Sequence, residues 1–174
     1  YLIHLSQEAA RTKLVEAEKA FEEEFGRSYG GLMEYYQCED ADAILVIAGS
    51  AAGTAKEVAD RFRSEGKKVG VAKLRVFRPF PAKEVRRLSE MTSTIGVFDR
   101  SYTFGDGGAM FNEVRSALQP GDSMVKNYVG GLGGRDVTVK YIEWIFEDLL
   151  KISAAGKVDR VVEWVGLKDG TGRW

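Results

Sequence analysis

From residue 43 onward the chain alternates short, nearly continuous apolar runs with stretches of helical period. This alternation restricts the fold more than any other feature. "AILVIAG" (43–49) and "TIGVFD" (94–99) are apolar at almost every position, the pattern of strands covered on both faces. "KVGVAKLRVF" (68–77) and "SMVKNYV" (123–129) have the length and β-branched content of two more strands. Between them lie helical stripes. Ala55, Val58, Ala59 and Phe62 share one face, with Gly66 as the stop. Pro81 suits the first turn of "PAKEVRRLSEM". Phe111, Val114 and Leu118 mark a further helix, and Val139, Ile142, Phe146 and Leu149 the last. Four strands, each followed by a helix, predict a parallel sheet with helices on both faces, a three-layer α/β/α domain.

Residues before 43 follow another pattern. Ser6 can cap a helix whose stripe is Leu14, Ala17, Phe21 and Phe25, and Gly26 can end it. "LMEYY" (32–36) suits an edge strand. No full crossover helix separates it from the strand at 43, so it can run antiparallel. We therefore expect a lead-in helix (1–30), an α/β domain (31–154) and a tail (155–174). The tail has an apolar run at 161–165 and then a polar, Gly-rich end. It reads as an appendage, or as a docking tail using Trp164 and Trp174.

Composition narrows the function classes. Lys+Arg number 25 against 26 Asp+Glu, so charge gives no reason to expect nucleic acid or an anionic membrane as partner. No apolar run approaches the roughly 20 residues of a membrane span. The single Cys38 excludes an internal disulfide, suits a reducing, cytoplasmic compartment, and cannot by itself hold an iron–sulfur cluster. It reads as an inert thiol, and the single His4 as part of a linker. A start at Tyr1 leads us to expect a piece of something longer.

Ligands of open parallel sheets bind beyond the carboxyl ends of the strands. Four segments should converge there: "GSAAGT" (49–54), "RPFP" (78–81), "DRSYTFGDGG" (99–108) and "GGLGGRD" (130–136). "GSAAGT" is either a tight packing turn or an anion cradle at a helix start; it is neither G-x-G-x-x-G nor a P-loop. "GDG" at 105–107 has the look of a thiamine-diphosphate metal motif, but its setting is wrong. It begins six residues after Asp99, and the next candidate Asn, Asn127, lies 21 residues after Asp106 inside a predicted strand. Asp106 then reads as a helix cap. "GGLGGRD" has four glycines in five residues and lets a backbone or phosphate come close. Arg135 either reaches a carboxylate or phosphate or pairs with Asp136, with Asp136 or Thr138 capping the last helix. Asp99–Arg100 is either an internal ion pair or a contact across a domain face.

Four stretches, in this order and spacing, resemble a known family. They are "FGRSYGGLMEYYQCEDADAILVIAGS" (25–50), "KKVGVAKLRVFRPFP" (67–81), "GVFDRSYTFGDGGAMFNEVRSAL" (96–118) and "NYVGGLGGRDVT" (127–138). The family is the alpha chain of 2-oxoacid:ferredoxin oxidoreductases, most closely the pyruvate type (pyruvate synthase). The covered part is its carboxy-terminal domain, which is similar to that of transketolase. The resemblance implies a three-layer α/β/α sandwich with a five-stranded, mostly parallel sheet and one antiparallel edge strand. It implies a complex that decarboxylates pyruvate on thiamine diphosphate with Mg²⁺, passes electrons through iron–sulfur clusters to ferredoxin, and gives the acetyl group to coenzyme A. It places those cofactors elsewhere, so no catalytic, cofactor-binding or metal residue is expected in this chain. A preceding catalytic domain would then join the lead-in helix.

The resulting expectation is an assembly domain whose rim, Arg78, Asp99, Arg100, Gly131, Gly133, Gly134 and Arg135, meets another domain or subunit. The competing expectations are the same domain in an oxidoreductase for another 2-oxo acid, and a free-standing module that binds a nucleotide or anion at "GSAAGT" and "GGLGGR".

Overall fold

The computed structural model describes residues 1–167. Helix α1 (Leu2–Phe25) leads to strand β1 (Met33–Tyr36) and then to β2 (Ala43–Ala48), α2 (Ala51–Ser64) and β3 (Val69–Leu74). The short helices α3 (Ala82–Arg86) and α4 (Leu88–Met91) precede β4 (Thr94–Asp99) and α5 (Ala109–Ala117). Strand β5 (Met124–Val129), α6 (Val139–Ala155) and β6 (Val162–Trp164) complete the order. The strands form one sheet in the order β1-β3-β2-β4-β5-β6. Only β1, on β3, is antiparallel; every other pair is parallel.

The alternating side chains of β2 divide the core. Ile44 and Val46 point to the face covered by Val85 and Leu88 of α3 and α4 and by Phe111 and Val114 of α5. Leu45 and Ile47 point to the face covered by Val58 and Phe62 of α2 and by Ile145 and Phe146 of α6. These four β2 residues are fully buried, and each large aliphatic side chain contributes roughly 1.5–3 kcal/mol by leaving water. The three layers are those the sequence predicts. No helix among the described residues is long and apolar enough to cross a membrane.

Three local expectations change. The sheet has six strands, not five: Val162–Trp164 adds to β5, with Asn127 N donating to Val161 O (2.8 Å) and Val165 N to Val129 O (2.8 Å). Three residues of the apolar run at 161–165 thus belong to the sheet, while Trp174 lies outside the described residues. Helix α1 begins at Leu2, so Ser6 is interior and its hydroxyl donates back to Leu2 O rather than capping. The helix expected from Pro81 to Met91 is interrupted at Arg87.

Helix α1 stands apart from these layers because none of its 24 residues is buried. Polar contacts attach it. Arg11 donates to Phe80 O (2.9 Å), and Glu18 accepts from Tyr29 N (3.1 Å), Gly31 N (2.7 Å) and Arg75 (2.7 Å to each oxygen). Burial pushes the Glu18 carboxyl up, but the Gly31 amide, Arg75 and the Tyr29 amide outweigh this and hold it below the ordinary range.

Candidate functional site: the rim at the carboxyl ends of the strands

Strands β2 and β4 are neighbours whose following helices lie on opposite faces: α2 on one, α5 on the other. The chain order reverses there, which is the switch point where open sheets form their crevice. A cavity of about 410 Å³ occupies that place, lined among others by Gly49, Ser50, Phe77, Phe98, Asp99 and Arg100. The "GSAAGT" turn opens onto it. Gly49 has φ +73°, Ser50 precedes α2 without a side-chain cap, and Ala52 is fully buried. The small residues let α2 pack tightly on the sheet.

Asp99 ends β4 and is 4% exposed. It forms no ion pair among the described residues. Its Oδ1 accepts from Met110 N (2.9 Å), and its Oδ2 from Phe111 N (3.0 Å) and Asn127 Nδ2 (3.0 Å). Asp99 therefore caps α5, the role the sequence assigned to Asp106. Two free amides at a helix start match the two oxygens of a carboxylate. Burial pushes the Asp99 carboxyl above the ordinary range, against the pull of those three donors. Asn127 completes the arrangement: its Oδ1 accepts from Gly108 N (2.9 Å), and its Nδ2 also donates to Val97 O (3.0 Å). Gly108 must be glycine, because an added Cβ would lie 2.2 Å from Asp99 Cγ.

The triplet at 105–107 is thus a loop locked from beneath. Gly107, at φ +105°, accepts from Thr103 N (3.0 Å) and Thr103 Oγ1 (2.7 Å). Asp106 turns outward and pairs with Arg115 (2.8 Å). Among the described residues no group of three or more His, Cys, Asp or Glu side chains is placed to hold a metal. Asp106 and Asn127 do not fit the metal and diphosphate of a thiamine site, since one is paired at the surface and the other is buried and fully engaged.

The other rim residues sit around this lock. Arg100 Nη2 donates to Gly131 O (3.3 Å), joining the β4 and β5 loops. Gly131, Gly133 and Gly134 have φ of +68°, +63° and +81°. Arg135 Nη1 donates to Gly166 O (3.2 Å), not to Asp136, and Thr138 precedes α6 without a side-chain cap. A second cavity of about 380 Å³ lies between the glycine loop and Gly166. Arg78 pairs with Glu113 and lies over the Phe77 ring at 4.2 Å. The four segments do share one end of the sheet, though only some of their residues touch.

Sequence reasoning missed Asn127 as a brace and the aromatic group Tyr102, Phe104 and Trp164. Tyr102 packs on Trp164 (4.9 Å) and edge-on to Phe104 (5.8 Å). Elsewhere, Cys38 is 2% exposed and burial pushes its thiol up to about 11, which makes it inert at neutral pH. His4 is exposed on α1.

Residues 41–142 match the family described as pyruvate:ferredoxin oxidoreductase core domain II. The chain is 42% identical over 170 residues to ketoisovalerate oxidoreductase subunit VorA of Pyrococcus horikoshii, covering 97% of this chain and 43% of that protein. It is 41% identical over 169 residues to pyruvate synthase subunit PorA of Methanothermobacter thermautotrophicus, covering 97% and 42%. The chain thus spans less than half the length of these relatives, and their identities do not separate a pyruvate type from a ketoisovalerate type. Two solved structures share the fold. A 2-oxoglutarate:ferredoxin oxidoreductase from Magnetococcus marinus has a TM-score of 0.56 at 19% identity, over 68% of this chain and 19% of that one. A split gene transketolase has a TM-score of 0.52 at 14% identity, over 69% and 42%. With the family match covering more than half of its residues and these relatives covering nearly all of them, the chain belongs to the 2-oxoacid:ferredoxin oxidoreductase family.

Proposed function

We propose that this chain is the assembly domain of a 2-oxoacid:ferredoxin oxidoreductase alpha chain and carries no reacting group of its own. The complete enzyme would decarboxylate a 2-oxo acid such as pyruvate on thiamine diphosphate, reduce ferredoxin through iron–sulfur clusters, and form an acyl-coenzyme A in the cytoplasm. The observation that carries this reading is how the acidic and amide groups at the rim are engaged. Asp99 caps α5, Asn127 braces the loop beneath it, and Asp106 is paired at the surface. Those groups hold structure, so the rim offers shape, glycine backbone and arginine charge instead of acid–base chemistry. We assign residues 1–30 to a lead-in helix and 31–154 to the body of the domain, with β6 from the tail (155–174) completing its sheet. Arg78, Arg100, Gly131, Gly133, Gly134 and Arg135 form the contact surface, with Asp99 setting the loop from below.

The test is a double charge reversal, Arg100→Glu with Arg135→Glu, in the complete enzyme. We expect the assembly to dissociate at about tenfold higher concentration or more, with the unfolding midpoint of the isolated chain unchanged. Assembly as tight as in the unaltered enzyme would refute the interface. A second reading, a nucleotide or anion module, has one observation in its favour: the switch-point cavity faces the start of α2. Micromolar binding of a nucleoside diphosphate by the isolated chain would favour it.

A further inference from the structure

Phe104 has the highest exposure of any large apolar side chain described, at 94%. Its backbone is also in the left-handed region, at φ +57°, where an aromatic residue is sterically disfavoured. Gly105, Gly107 and Gly108 follow within four residues, so this stretch uses glycine freely, yet the left-handed position beside them is phenylalanine. A loop that only joined β4 to α5 would gain from glycine here.

The loop beneath Phe104 is held rigidly. Thr103 is bonded to Gly107 O by both its amide and its hydroxyl, Tyr102 Oη donates to Gly105 O (3.0 Å), and the Tyr102 ring packs between Trp164 and Phe104. The backbone that carries the aromatic ring is therefore tied down before any partner arrives, which lowers the ordering cost of binding. Its surroundings are cationic. Among the described residues Arg100 and Arg135 bond only to backbone oxygens, whereas Arg75, Arg78 and Arg115 are matched by Glu18, Glu113 and Asp106. Two nearby carboxylates form no ion pair among the described residues: Asp99, buried against the α5 amides, and Asp136 at the surface, so the exposed side of the rim carries two arginines without a carboxylate partner against one such carboxylate. Exposed aromatic and arginine side chains together are the composition of interface anchors.

We infer that Phe104 is the anchor of the rim interface, a preset knob that enters an apolar socket edged by carboxylates on another chain of the assembled enzyme. This inference rests on the interface reading of the rim and adds its partner's chemistry. The experiment uses the complete enzyme that contains this chain, with Phe104 replaced by the photo-reactive p-benzoylphenylalanine. Irradiation should cross-link it to one segment of another subunit, rich in apolar residues and carrying Asp or Glu nearby. Phe104→Ala should raise the dissociation concentration of the assembly about tenfold while leaving the melting temperature of the isolated chain unchanged. Cross-links confined to its own chain or to a second copy of it, no cross-link at all, or unaltered dissociation of the Phe104→Ala enzyme would each overturn the inference. If Phe104→Ala is silent but the Arg100, Arg135 double reversal weakens assembly, the anchor fails and the interface stands. If both are silent, the interface fails as well.

Discussion

The loop after β4 and helix α1 both depend on a single carboxylate, but in opposite ways. Asp99 sits inside the structure with a buried amide brace, and two core-facing strands and α5 converge on it. Glu18 sits at the edge and joins a helix with no buried residue to the body. Burial raises the proton affinity of both. For Asp99 burial wins; for Glu18 the donors win. A carboxyl group within a core thus fills a hydrogen-bonding need against a desolvation cost on its charge, whereas one at a joint fixes an orientation that apolar packing leaves loose.

The largest effects should come from breaking the first region. Asp99→Ala leaves Met110 N, Phe111 N and one Asn127 donor without an acceptor and should cost about 3 kcal/mol or more in urea unfolding. Gly108→Ala forces a Cβ to 2.2 Å from Asp99 Cγ and should cost a similar amount, about 3 kcal/mol. If Asp106→Ala costs more than either, the assignment of the cap is wrong.

Acid titration sharpens the contrast through its sign. The Asp99 carboxyl is raised, so its proton is bound more tightly in the folded state. Its contribution to stability is full below the ordinary Asp range and falls as pH rises through the higher folded value. The Glu18 carboxyl is lowered, so the attachment of α1 is full above the ordinary Glu range, near about 4.3, and is lost as pH falls through the lower folded value. Carboxyl carbon resonances should therefore titrate on opposite sides of the ordinary range. Two midpoints on the same side would remove the distinction.

Smaller effects belong to the joint and the surface. Glu18→Gln should lower global stability by less than about 1 kcal/mol, yet hydrogen exchange along α1 should quicken while the sheet stays protected. Uniform quickening across the sheet would mean that α1 is part of the same cooperative unit. Asp106→Ala should change stability by less than about 0.5 kcal/mol, because its pair with Arg115 is exposed.

The sheet was legible because β2 is apolar throughout, β4 nearly so, and the helices between the strands repeat their stripes. Strand β6 was not, since three residues in a Gly-rich tail carry little period of their own and are defined by pairing with β5. The cap of α5 was misread for a related reason. Asp106 is three residues before the helix, whereas Asp99 and Asn127 are 28 apart and meet only because β4 and β5 lie in register, with Asp99 opposite Val129. The exposed, left-handed Phe104 left no mark in the pattern, as local sequence does not report a backbone angle set by the loop's closure on Gly107. Helix α1 was correctly expected to end at Gly26, whose left-handed conformation closes it.

The central claim is that this chain's rim serves contact and holds no thiamine site. Calorimetric titration of thiamine diphosphate with Mg²⁺ into the purified chain measures it most directly. The account predicts no binding heat up to millimolar cofactor; saturable binding with a micromolar dissociation constant would contradict it.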